Sequence, residues 1–129
     1  MATTEIIICT TCRPAGMSRD LPAAGLGLLE SVQSLLDADA FSPVPGAKLQ
    51  LRGIACMSGC SRACTVALQA AGKPTYYFGD LVADAETAAQ VLQCARLHHD
   101  SKDGTLLRND RPERLRNGIL AKLPALEIA

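Results

Sequence analysis

The placement of cysteine constrains this chain most. Five of its six cysteines fall into two groups. Cys9-Thr10-Thr11-Cys12 follows Ile6-Ile7-Ile8, a β-branched run of the kind that forms a buried strand. Cys56-x3-Cys60-x3-Cys64 follows Leu49-Gln50-Leu51-Arg52 and Ile54-Ala55, whose alternation reads as a second strand. About 43 residues separate the groups, so thiols that act together need a fold that closes the gap. In an α/β sheet, parallel strands end at one edge, and the loops there build sites. Two groups that each follow a strand can meet at that edge with no further assumption.

The remaining pattern supports such a sheet. Leu28, Leu29, Val32, Leu35 and Leu36 repeat at helical period, and Ser42-Pro43-Val44-Pro45-Gly46 ends that element. Phe41 is expected to pack on the same core. From Cys60 to Ala71 the alanine-rich composition favours a helix, with Gly72 just past its end. Pro74 to Phe78 reads as a strand, turned by Gly79-Asp80 into a short partner, Leu81-Val82-Ala83. Asp84 is placed to cap a helix whose stripe is Ala88, Val91, Leu92 and Ala95 and which ends near His98-His99. After Asp100 the charge balance changes sign. The first hundred residues carry 7 basic and 9 acidic groups, and the last 29 carry 6 basic and 4 acidic. Pro112 and the stripe Leu115, Ile119, Leu120 and Leu123 predict a short amphipathic helix in this tail, ended by Pro124. The expected architecture is a mixed four-stranded α/β sheet flanked by helices over residues 1–100, followed by a helical tail over 101–129.

Composition removes several function classes. A formal net charge of zero gives no basic footprint for nucleic acid. Aromatic residues are only 3%, too few for a base-stacking platform. No apolar run approaches the ~18 residues of a membrane span. The N-terminus lacks the basic and apolar segments of a secretory signal, which predicts a cytoplasmic protein. In that reducing compartment, clustered cysteines point to metal binding or redox chemistry rather than to disulfides.

Four thiolates at one edge can hold a tetrahedral metal or an iron–sulfur cluster. On the expected helix, Cys60 and Cys64 share a face. The Met57-Ser58-Gly59 turn would bring backbone N–H groups and a positive helix end to the anionic centre. Zinc or another divalent metal such as cobalt or nickel suits the same donors. Cys9 and Cys12 alone also match a thiol–disulfide exchange pair, although such a site has no need of Cys56 and Cys60.

The cysteine pair after the first strand, the Cys-x3-Cys after the second, and Tyr76-Tyr77-Phe78-Gly79-Asp80-Leu81 before an acid-capped helix resemble the thioredoxin-like [2Fe-2S] ferredoxins over roughly residues 5–99. More closely, Cys9-Thr10-Thr11-Cys12-Arg13-Pro14, Cys56-Met57-Ser58-Gly59-Cys60-Ser61-Arg62-Ala63-Cys64 and Arg111-Pro112 resemble an uncharacterised bacterial family labelled predicted metal-binding proteins, in the same thioredoxin-like group. The resemblance implies a thioredoxin-like fold and a [2Fe-2S] cluster on Cys9, Cys12, Cys56 and Cys60. It also implies a one-electron carrier that serves a redox partner protein and is not itself an enzyme; a homodimer is compatible with it. Cys64 is either a further ligand or a structural thiol.

Other features have plainer expectations. Cys94 falls in a helical stripe and reads as a core thiol. His98 and His99 suit the negative end of a helix, with metal ligation as the rival reading. Gly72-Lys73-Pro74-Thr75 lacks the upstream glycine of a phosphate loop and reads as a turn. Arg108, Arg111, Arg114 and Arg116 are expected on a solvated helix face, with a docking surface for an acidic partner as the alternative. Arg13 and Arg62 flank the cysteine groups, where they can offset cluster charge or lie on the surface.

Overall fold

The computed structural model describes residues 4–11, 13, 20, 22–39, 49–57 and 62–125. Its elements in chain order are β1 (Thr4–Cys9), α1 (Ala24–Asp39), β2 (Leu49–Ile54), β3 (Val66–Ala70), β4 (Lys73–Phe78), α2 (Ala85–Asp100) and β5 (Ile119–Leu123). Two single 3-10 turns, Arg108–Asp110 and Glu113–Leu115, precede β5. The strands form one mixed sheet in the order β2-β1-β3-β4-β5. β1 and β2 are parallel, and the other neighbours are antiparallel. No helix among the described residues is long and apolar enough to cross a membrane.

The sheet has two unlike faces. Ile6 and Ile8 of β1, Val66 and Leu68 of β3, and Tyr76 and Phe78 of β4 are buried in one core. Leu28 and Val32 of α1 and Ala88, Val91, Leu92 and Ala95 of α2 fill the same core, and the two helices pack on each other. Both helices therefore cover one face. Glu5, Ile7 and Cys9 point the other way, because side chains alternate along a strand. On that opposite face Glu5 accepts hydrogen bonds from Arg52 at 2.8 Å and from Gln69 at 2.9 Å. Helix α2 begins where the sequence predicts it. Asp84 is the N-cap and accepts from the Thr87 N–H at 2.8 Å.

Three sequence expectations are corrected. The segment read as a helix from Cys60 to Ala71 contains β3 instead. Val66, Ala67 and Leu68 are buried between β1 and β4, and this two-sided pairing overrides the modest helix preference of alanine. Gly72, at φ 75°, belongs to the β3–β4 turn and not to a helix end. Leu81 to Ala83 is not a strand but a connection into Asp84. The tail helix is absent as well: Ile119–Leu123 pairs with the free edge of β4 and makes the sheet five-stranded. Phe41, the segment 42–46 and Cys12 and Cys60 lie outside the described residues.

The residues after Asp100 pack into the same core. Leu106 and Leu115 are buried in it, and the Leu106 N–H donates to the Tyr76 hydroxyl at 2.8 Å. Arg111 is 5% exposed, with its guanidinium over the Phe78 ring at 5.9 Å from the centroid. It also donates to the Arg116 carbonyl at 3.1 Å. Arg114 pairs with Asp84 and Glu86, and Arg108 donates to Asn117. The tail arginines are therefore structural to different degrees and do not form one solvated helix face.

The Gly79 N–H donates to the Gly118 carbonyl at 2.7 Å, so two backbones touch between β4 and β5. A Cβ at Gly118 would stand 2.4 Å from the Gly79 oxygen. Gly118→Ala is expected to cost about 1–3 kcal/mol, as overpacking does, and to lower the urea midpoint with little change in slope. An unchanged midpoint would show that the two backbones separate without penalty.

His98 is not at a solvated helix end. It is fully buried, and its Nε2–H donates to the Pro74 carbonyl at 2.8 Å while Nδ1 accepts from the Thr4 hydroxyl at 3.0 Å. Lys73 supplies the positive charge at this end of α2, donating to the His98 and His99 carbonyls at 2.8 and 2.6 Å. Burial holds the His98 ring below its ordinary value near 6.5. The unfolded chain then binds a proton that the folded one refuses. This contribution to stability is complete above pH ~6.5 and is lost as the pH falls through the folded value. The melting temperature is expected to drop between pH 7 and 5, and to drop less steeply in His98→Gln. Equal slopes in the two proteins would remove His98 as the cause.

Candidate functional site

The carboxyl end of β1 carries the site. Cys9 is the last residue of β1 and stands opposite Ile54, the last residue of its parallel neighbour β2. Cys56 follows two residues later and is exposed. On the other side of β1, the Cys9 N–H donates to the Thr65 carbonyl at 3.3 Å, so Cys64 stands directly before β3 at the same edge. Three cysteines thus leave three adjacent strand ends together. Cys9 and Cys64 are both 0% exposed. Burial first, and then the neighbouring Cys9, push the Cys64 thiol above its ordinary range.

Each approach to this edge is fastened. The Thr10 N–H donates to the Ile54 carbonyl at 2.8 Å. The Thr11 hydroxyl donates to the Ala55 carbonyl and lies 3.7 Å from Cys9 Sγ. A Cβ at Gly53 would stand 2.6 Å from the Thr10 methyl, so glycine lets these two segments lie side by side. The Tyr77 hydroxyl donates to the Met57 carbonyl at 3.0 Å and holds the residue after Cys56. Cys64 and Leu81 exchange backbone hydrogen bonds at 3.0 and 3.2 Å. The Asp80 N–H donates to the Arg62 carbonyl at 2.6 Å, with Asp80 in the left-handed region at φ 58°. The Arg62 guanidinium also grips the Asp80 carboxylate, which it holds below the usual carboxylate range. The charge of Arg62 is therefore committed to Asp80 and is not reserved for a cluster.

These contacts also correct the expected donor set. Cys64 is not on a helix face shared with Cys60; it precedes a strand. The N–H groups of Cys9, Thr10 and Cys64 are already engaged by carbonyls. Among the described residues no helix N-terminus lies at this edge, and these amides do not supply the positive potential that the helical reading implies. The role of Gly79-Asp80-Leu81 as a clamp on the Cys64 segment was hidden by reading it as a hairpin. Its signal was an aspartate directly after a glycine, a pair suited to a positive φ. Cys94 lies apart on α2, 0% exposed, its thiol pushed up to about 12 by burial. It is a core thiol, as the helical stripe predicts. Among the described residues no three Cys, His, Asp or Glu side chains converge on one point.

The family described as "Protein of unknown function (DUF1636)" matches residues 6–125. The chain belongs to this family. No curated protein matches it. Among solved structures it is similar to a thioredoxin-like [2Fe-2S] ferredoxin from Aquifex aeolicus, with a TM-score of 0.57 and 13% identity. The match covers 93% of this chain and 92% of that one. At this identity the likeness establishes the fold, which is thioredoxin-like as the sequence resemblance implies. It spans more of the chain than the roughly 95 residues that carry the sequence resemblance.

The Tyr77 contact yields a test that needs no cofactor. Tyr77→Phe is expected to cost about 1 kcal/mol, the typical worth of one hydrogen bond. It should also speed alkylation of Cys56 by iodoacetamide in the native protein. Unchanged alkylation would show that Tyr77 does not restrain this loop.

Proposed function

We propose that this DUF1636 protein holds a [2Fe-2S] cluster on cysteine thiolates at the carboxyl edge of β1 and carries single electrons to a redox partner protein. The observation that carries the reading is that Cys9, Cys56 and Cys64 stand at or next to the ends of three adjacent strands, two of them fully buried. The sequence adds Cys12 and Cys60 within four residues of described cysteines, which suffices for a four-thiolate site. The fold shared with the Aquifex aeolicus ferredoxin supports the same reading.

The donor chemistry fits the group. Thiolates are the ligands such clusters take, and the resemblance assigns Cys9, Cys12, Cys56 and Cys60 to that role. A bound cluster supplies a one-electron couple whose potential responds to burial and hydrogen bonding. The chain's own residues do the rest. The buried ends of β1 and β3 keep water from the inner side of the site, while the exposed Cys56 faces solvent, where a partner can approach. Transfer of an electron needs no acid–base pair, and the reading includes no catalytic side chain. A reducing cytoplasm is the compartment in which these thiols stay available.

The test is the visible spectrum of anaerobically purified protein before and after dithionite. Bands between about 320 and 600 nm that bleach on reduction, with two irons per chain, are expected. A colourless protein with one bound zinc would replace this reading with a metal-handling one. Disulfide turnover that requires only Cys9 and Cys12 would replace it with thiol exchange.

A further inference from the structure

Arg111 brings a charge into the core without a counter-charge. It is 5% exposed, and no carboxylate among the described residues pairs with it. Its neighbours in the chain, Asp110 and Glu113, are exposed. The Arg111 Nε is buried and has no hydrogen-bond partner. In place of water the guanidinium has the Phe78 ring, 5.9 Å away at its centroid, and the Arg116 carbonyl at 3.1 Å. A ring face and one carbonyl offset only part of the cost of drying a charge.

The segment around this charge moves as one piece. Arg111 and Arg116 each donate to the other's carbonyl, and Arg108 donates to Asn117. These bonds close within the segment and do not fasten it to the core. Leu106, Leu115, the Tyr76 hydroxyl and the β4 ladder do fasten it. Arg114 adds ion pairs to Asp84 and Glu86, which are partly exposed and worth little. The segment is therefore docked against a standing electrostatic penalty. That penalty vanishes when it lifts and the guanidinium regains water.

Two fully buried thiols lie beneath. Cys64 and Cys94 share the core cluster with Phe78, Leu106 and Leu115. The 3-10 turn Glu113–Leu115 packs on α2, which carries Cys94. Cys64 is joined to the segment through backbone. The Gly118 carbonyl accepts from Gly79, and two residues later Leu81 exchanges hydrogen bonds with Cys64. Cys9 is as buried but stands outside this cluster.

We propose that residues 106–123 form a gate, poised by the uncompensated charge of Arg111, whose lifting presents Cys64 and Cys94 to solvent together while the rest of the sheet stays folded. With the gate down, Cys64 is withheld from oxidants and metal ions. With the gate lifted, a second thiol besides the exposed Cys56 becomes available near the edge where β1 ends. The gate does not depend on the iron–sulfur reading.

The experiment alkylates the full-length protein, as purified anaerobically, with iodoacetamide at urea concentrations from zero to the foot of the unfolding transition. Peptide mass spectrometry gives the rate at each cysteine, and circular dichroism gives the global stability. Cys64 and Cys94 are expected to share one opening constant, larger than global unfolding provides and with a smaller urea slope. Arg111→Met keeps the bulk and removes the charge, and is expected to slow both thiols about tenfold. Leu115→Ala leaves a cavity under the gate and is expected to speed both about tenfold or more.

Three results overturn the proposal. In one, both thiols react no faster than global unfolding allows and with its full urea slope. In another, Cys64 reacts without Cys94, which places the opening elsewhere. In the third, a folded Arg111→Met reacts as fast as wild type. Where Arg111→Met does not fold, the shared constant and the urea slope of the wild-type thiols decide.

Discussion

The backbone ladders on the two sides of β1 are the constraint on which the rest depends. One sets Cys9 opposite Ile54 and so places Cys56 just beyond the same edge. The other joins Cys9 to Thr65 and brings Cys64 in from the opposite side. A slip of one residue in either ladder would turn every β1 side chain to the wrong face. Ile6 and Ile8 prevent it, because both would leave the core beneath α1 and α2. The apolar pattern of a short strand thus sets the position of a thiol at its end.

The second support comes from the connection between β4 and α2. Gly79 leaves room for the Arg62 carbonyl and the Leu120 side chain, Asp80 turns the chain, and Leu81 bonds to Cys64 in both directions. The Arg62–Asp80 ion pair is exposed, so solvent screens it and its worth is small beside these backbone contacts. The close approach of Gly79 and Gly118 matters more, since no side chain can yield there. The C-terminal strand therefore stiffens the segment that positions Cys64 without touching the thiols.

The fold was legible where a pattern had one physical meaning. Ile6 to Ile8, the helical stripe from Leu28 and the Asp84 cap each matched a single element, and each is found. It was misread where propensity and tertiary pairing disagreed. Ala67 and Ala70 suggested a helix because alanine favours one when nothing else decides, but strand neighbours on both sides did decide. Ile119 to Leu123 has apolar spacing that serves either a helix or an edge strand, and the free edge of β4 settled it. The meeting of Cys9 and Cys56 at one edge was legible, because it needs only parallel strands. The arrival of Cys64 next to that edge was not, because it depends on an antiparallel neighbour where a helix was expected. The clamp by Leu81 and the tyrosine tie to Met57 carry no local pattern at all.

The docking of residues beyond Asp100 has a consequence for synthesis. Leu106, Leu115 and Arg111 cover Tyr76 and Phe78, and β5 occupies the edge of β4. A ribosome that has just translated α2 has already produced every strand around the thiols. It has not yet produced the cover for that end of the core. The nascent chain at that moment displays two aromatic residues and an unpaired strand edge that the finished protein conceals. Surfaces of this kind are what chaperones bind and what drives premature association between unfinished chains. The basic tail is thus the closing piece of the domain in time as well as in space.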